Sequence, residues 1–244
     1  MINIVIPMAG LGSRFANAGY LKPKPFIDVA EKPMITRVMD NLFYPDANFI
    51  LIGREEHFNT ESEIVEEIKS RYNATFISLD QLTEGTACTV LFSRHIIDNE
   101  FPLLIANSDQ LVDISVEDFI NDCLNRNLDG SIMTFTDLEL NPKWSFAKIN
   151  DAGIVTEVQE KKVISEFATI GIYLFRRGKD FVDGALEMIE NNDRVNNEFY
   201  TCPVYNYSIS HGMKIGIFNI DFDQMHGLGT PEDLEKYLAI QSKY

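Results

Sequence analysis

The chain has 244 residues, 45% of them hydrophobic and 24% charged, with a formal net charge of −16. That much apolar content excludes a disordered chain. The acidic excess argues against a non-specific grip on nucleic acid or an anionic membrane, since both need a basic face. Cys88, Cys123 and Cys202 are scattered, with no C-x-x-C spacing, and read as free thiols in a reducing compartment. The histidines show no zinc spacing, and no apolar run approaches membrane-spanning length. Met1 leads directly into a strand without a signal peptide, so a cytoplasmic location is expected.

The run 2–7 is apolar, bounded by proline, and reads as a buried strand. It opens into Met8-Ala9-Gly10-Leu11-Gly12-Ser13-Arg14, and Lys24 follows between Pro23 and Pro25. Gly10 and Gly12 let main-chain N–H groups approach a ligand, and such a loop after a strand makes an anion cradle. Arg14 can fork onto phosphate oxygens and Lys24 adds a point charge, which together describe a triphosphate site. The dinucleotide fingerprint fails because Phe15 stands in place of its last glycine, and the phosphate-loop sequence is absent.

Pro33 suits a first helical position, with Met34, Ile35, Val38, Met39 and Leu42 on one apolar face. Residues 49–52 read as the second strand. Thr60 with Glu63 has capping-box spacing and predicts a helix to about Tyr72. Residues 74–79 form a third strand, and the segment Gln81 to Ala87 opens a helix to about Ile97. Residues 101–106 give a fourth strand ending in Asn107-Ser108-Asp109, a carboxylate placed where a metal ligand would sit. Ser115 and Asp118 predict another capped helix, with Phe119, Ile120, Cys123 and Leu124 inward. This alternation is that of a parallel sheet with helices on both faces.

From Ser131 the pattern becomes antiparallel, with a strand at 132–135 and a hairpin of 146–149 and 154–158 around Asn150-Asp151-Ala152-Gly153. A strand at 168–175, a helix at 179–189, an aromatic and polar stretch at 196–201 and a strand at 214–218 follow. Thr230 then caps a final helix, with Pro231 in its first turn. With no repeat or linker, one unit over 1–244 is expected: a nucleotide part at 1–130 and an acceptor part at 131–244.

As a set, the Gly-rich loop with its arginine and the Pro-Lys-Pro resemble the N-terminal signature of the nucleotidyltransferases that activate sugar phosphates and related metabolites. The resemblance implies a Rossmann-like α/β mixed sheet with an antiparallel acceptor region. It also implies an Mg²⁺ cofactor, a nucleoside triphosphate substrate and a phosphorylated small-molecule acceptor, leaving the oligomeric state open. Met8, Ala9, Gly10, Gly12, Ser13, Arg14, Lys24 and Asn107 would bind the nucleotide, with Arg14 and Lys24 catalytic, and Gln81, Gly85 and Thr86 would read the base. Asp109 would bind Mg²⁺, and Glu160, Lys161 and Gly171 would contact the acceptor.

Two departures lie on the acceptor side. Gly227 stands where members place a second metal aspartate, leaving Asp221 or Asp223 to substitute, with Asp223 the expected ligand. Trp144-Ser145-Phe146-Ala147 lacks the glycine that members have after an aromatic. The best overall resemblance is to small members of surface-polysaccharide synthesis, among them capsule-pathway CTP:phosphoglutamine cytidylyltransferases. Two rivals are a glycosyltransferase using Asp221-Phe222-Asp223 and a non-catalytic nucleotide sensor.

Overall fold

The computed structural model describes residues 1–241. The first half runs β1 (Ile2–Pro7), α1 (Ser13–Asn17), β2 (Asp28–Val29), β3 (Lys32–Pro33), α2 (Met34–Asn41), β4 (Ala47–Arg54), α3 (Glu55–Thr60), α4 (Ser62–Arg71), β5 (Ala74–Leu79), α5 (Thr86–Leu91), α6 (Arg94–Ile97) and β6 (Leu103–Ala106). The second runs β7 (Gln110–Val112), α7 (Val116–Asn125), β8 (Gly130–Thr136), β9 (Phe146–Ile149), β10 (Val155–Gln159), β11 (Phe167–Phe175), α8 (Gly178–Glu190), α9 (Val204–Ser210), β12 (Ile215–Ile220), β13 (Met225–Gly227) and α10 (Pro231–Gln241).

One large sheet has the order β10-β9-β11-β6-β1-β4-β5, with β8 on β11 and β12 on β8. Strands β5, β4, β1 and β6 are parallel. Strand β11 is antiparallel to β6 and β8, and the β9–β10 hairpin joins it through Ala168 and Phe146. The period-2 alternation of side chains divides the core between the two faces. Ile2, Ile4 and Ile6 of β1 pack with α2, α4, α7 and α10, while Val5 packs with α5, α8 and α9. Helices therefore cover both faces of a mixed α/β sheet, as expected. Each fully buried side chain, such as Ile4 or Phe119, contributes roughly 1.5–3 kcal/mol.

Several local expectations need correction. Thr60 does not cap α4: it ends α3, and its hydroxyl donates back to Glu56 O at 2.8 Å. Glu61 holds the cap position of α4, without a side-chain hydrogen bond. The helix expected to reach Ile97 breaks at Phe92 and Ser93, where the Ser93 hydroxyl donates to Val90 O at 2.6 Å. Ser115 caps α7 by accepting from Glu117 N–H, and Leu124 lies on the outer face, 48% exposed. The later strands are not purely antiparallel, because β12 runs parallel to β8. No helix among the described residues is long and apolar enough to cross a membrane.

Candidate active site

The chain leaves β1 toward β4 and β5, then returns to place β6 on β1's other side. Loops leaving β1 and β6 therefore diverge at the carboxyl edge of the sheet and open a crevice at this switch point. The loop after β1 starts rigidly: Met8 and Ala9 are buried, and Met8 N–H donates to Ile52 O at 2.8 Å. Beyond them Gly10, Ser13 and Arg14 are exposed. Gly12 has φ 60°, and a Cβ there would stand 3.0 Å from the Lys24 Cβ. Glycine thus opens α1 and admits Lys24 to the crevice. There the Lys24 ammonium is ion-paired with the Asp109 carboxylate, their side chains 20% and 22% exposed.

A ribbon holds Asp109 in place. Strand β7 pairs antiparallel with β13, Leu228 N–H donates to Asp109 O at 2.7 Å, and the Asn41 side chain bonds both backbone groups of Val112. Asp223 lies at the opposite end of this ribbon, in the turn Phe222–Gln224, where Gln224 O accepts from Asp113 N–H. At about 3.3 Å per residue, the strand separates it from Asp109 by roughly 15 Å. The fold does not bring Asp223 and Asp109 to one ion. Gly227 sits beside Gln110 with open space where a Cβ would be.

Among the described residues no group of three or more His, Cys, Asp or Glu side chains surrounds a common point. Among the described residues, Asp109 places a carboxylate in the crevice beside Lys24. That donor set fits Mg²⁺, which binds through one or two carboxylates and otherwise keeps waters and substrate phosphates.

The loop expected to read the base is tied down more than its sequence suggested. Gln81 is exposed. Gly85 has φ 124°, and its Cα lies against the backbone of Phe199, so a Cβ would stand 2.6 Å from the Phe199 nitrogen. The Thr86 hydroxyl accepts hydrogen bonds from Thr201. Gly171 has an equally local reason. It lies where the register of β11 shifts, at φ 91°, and a Cβ would fall on the side-chain amide of Asn107, 2.7 Å from its Cγ. Asn107 N–H also donates to Gly171 O at 3.1 Å.

Glu160 and Lys161 point to different partners. Glu160 accepts from the Ser145 hydroxyl. Burial pushes its carboxyl above the ordinary value of 4.5, outweighing that hydrogen bond and the Lys161 charge. Lys161 donates to the Tyr200 hydroxyl at 2.6 Å, and Tyr200 donates to Glu198. Burial lowers the Lys161 ammonium, but the Tyr200 hydrogen bond and the Glu160 and Glu198 charges outweigh it and hold it above its ordinary value. The segment Glu198 to Thr201, expected only as part of an aromatic and polar stretch, contacts both Lys161 and Thr86.

The raised Glu160 value fixes the sign of a pH effect. An acid whose folded value is raised contributes stability below its ordinary value and loses it as pH rises through the folded one. Glu160→Gln keeps an acceptor for Ser145 without a charge. It is expected to melt above the parent at alkaline pH, with the gap closing toward acidic pH. Parallel melting curves across pH would overturn this.

Residues 4–219 match the family model described as Nucleotidyl transferase. A curated relative, the bifunctional protein GlmU of Methanococcus aeolicus, is 24% identical over 176 residues, 71% of this chain and 40% of that protein. The chain thus spans 40% of that relative's length. The nucleoside-diphosphate-sugar pyrophosphorylase from Vibrio cholerae RC9 superposes with a TM-score of 0.83 at 25% identity, covering 97% of this chain and 99% of that one. The inositol-1-phosphate CTP transferase from T. maritima shares the fold, with a TM-score of 0.77 at 14% identity over 100% of this chain and 96% of that one.

Proposed function

The chain belongs to the nucleotidyl transferase family, and from that premise we propose that it transfers a nucleotidyl group from a nucleoside triphosphate to a phosphorylated small metabolite. The observation that carries this reading is the Lys24–Asp109 pair, a cation and a carboxylate side by side at the switch-point crevice. An acceptor phosphate oxygen attacks the α-phosphorus, the bond from that phosphorus to the β-bridging oxygen breaks, and pyrophosphate leaves in line. Such chemistry asks the protein mainly for positioning and charge neutralisation. Arg14, exposed and without an ion pair among the described residues, and Lys24 neutralise charge gathering on the pyrophosphate. Lys161 holds the acceptor phosphate. Asp109 would hold Mg²⁺, which would supply Lewis-acid polarisation of the phosphate oxygens.

CTP is the favoured nucleotide and phosphoglutamine the favoured acceptor, in capsule polysaccharide modification. Support comes from the capsule-pathway resemblance and from Ser145, which places a hydroxyl bonded to Glu160 where sugar-phosphate members have glycine. A cytidylyl transferase shares this fold. The second reading, a hexose 1-phosphate with UTP or dTTP, is favoured by the near-complete mutual coverage with the nucleoside-diphosphate-sugar pyrophosphorylase. Pyrophosphate release from CTP, UTP, dTTP and ATP against phosphoglutamine, phosphocholine and hexose 1-phosphates separates them. Highest kcat/KM with dTTP or UTP and a hexose 1-phosphate removes the cytidylyl reading, and no release with any pair leaves the sensor.

Asp109→Asn is expected to raise the Mg²⁺ needed for half-maximal rate by about tenfold or more, with the rate falling alongside. A magnesium titration of parent and variant measures it. Undiminished parent activity in EDTA would remove the metal role.

A further inference from the structure

The segment Glu198 to Thr201 touches both halves of the site. On the nucleotide side, Phe199 N–H donates to Glu84 O at 2.7 Å, and Ala87 N–H donates to Phe199 O at 2.9 Å. Arg194 covers the Phe199 ring at 4.1 Å and is ion-paired with Glu84 at 2.5 Å. Two residues on, Thr201 N–H and the Thr201 hydroxyl both donate to Thr86 Oγ1, each at 3.1 Å. On the acceptor side, Tyr200 accepts from the Lys161 ammonium, which also lies 4.5 Å from its ring centroid. Phe199 and Thr201 are thus fastened to the nucleotide loop, and the residue between them holds Lys161.

A threonine hydroxyl has two acceptor lone pairs and one proton. Thr201 takes both lone pairs of Thr86, so that hydroxyl has no acceptor capacity left with which to read a base. We propose that Thr86 and Thr201 are positioning residues for Lys161: their paired hydroxyls anchor the strap whose Tyr200 aims the ammonium at the acceptor phosphate. Its functional meaning rests on the nucleotidyl-transfer reading above. The acceptor cation is then assembled only while the nucleotide loop is in place. Thr86 serves the acceptor through Thr201.

Trace acetylation of the whole protein, read by mass spectrometry, tests the link through the reactivity of Lys161 relative to its exposed neighbour Lys162. In the parent, Lys161 should react about tenfold more slowly than Lys162, the factor a hydrogen bond to a charged group supplies. Tyr200→Phe, Thr201→Val and Thr86→Val should bring the two lysines level, while Thr201→Ser should keep the parent ratio. Calorimetry with CTP, UTP, ATP and GTP in Mg²⁺ should give the same affinities for Thr201→Val as for the parent. An unchanged Lys161 ratio in Thr201→Val overturns the proposal, as does a fall in nucleotide affinity in step with Lys161 release. If no nucleotide binds the parent yet Lys161 still follows Thr201, the nucleotidyl-transfer reading fails and the link stands.

Discussion

Lys24→Ala is expected to lower kcat/KM by about 10²–10³-fold, the loss that follows removal of one preorganised charge-stabilising group. Lys24 is the residue on which the crevice converges: Gly12 makes room for its stem, and its ammonium lies on Asp109. The pair keeps partial contact with water, so an unpaired Asp109 can hydrate and the fold should survive, with a melting temperature within a few degrees of the parent. Lys22→Ala is the control. Lys22 is ion-paired with Asp28 at 3.0 Å, but both side chains are well exposed, and such pairs contribute little. Steady-state kinetics of the two variants, with the substrate pair that releases pyrophosphate, decide the matter. Equal activity in both would take the triphosphate away from this loop.

Gly85→Ala is expected to be the most damaging single methyl in the site. The position has φ 124°, which L side chains rarely adopt, and the new Cβ would collide with the Phe199 carbonyl oxygen while standing 2.6 Å from its nitrogen. The colliding atoms are backbone, and that backbone is hydrogen-bonded to Glu84 and Ala87, so it cannot rotate away as a side chain would. Strain and overpacking together should cost roughly 2–6 kcal/mol. That is a large share of the roughly 5–15 kcal/mol that stabilises a typical domain, and should lower the melting temperature by about 5–20 °C. Gly10→Ala is the matched control: nothing lies within 4 Å of a Cβ there. A Gly85→Ala protein melting with the parent would mean that Phe199 does not clamp this loop.

The strand–helix alternation of the first half was legible because buried parallel strands need short, continuous apolar runs. Those at 2–7 and 49–52 stood between glycine, proline and polar breaks, while the edge strand at 74–79, only partly buried, was marked by its β-branched and aromatic residues. The same logic placed the loops after β1 and β6, and with them Arg14, Lys24 and Asp109, at one edge of the sheet. Capping was less legible: Thr60 and Glu63 have the letters of a capping box, but Thr60 belongs to α3. Which helix owns a polar residue depends on where the chain turns, and packing of Phe58 against Phe26 and Phe76 helps hold α3 in place.

Only the tertiary structure could join Lys24 to Asp109 across 85 positions, or Thr86 to Thr201 across 115. It alone gave Gly171 its reason, the Asn107 amide lying where a side chain would go, and alone sent Asp223 to the far end of the β7–β13 ribbon. Sequence patterns report periodicity and caps over a few residues. Distances between remote side chains follow from strand register, where a shift of one residue turns every side chain to the opposite face and moves every partner with it.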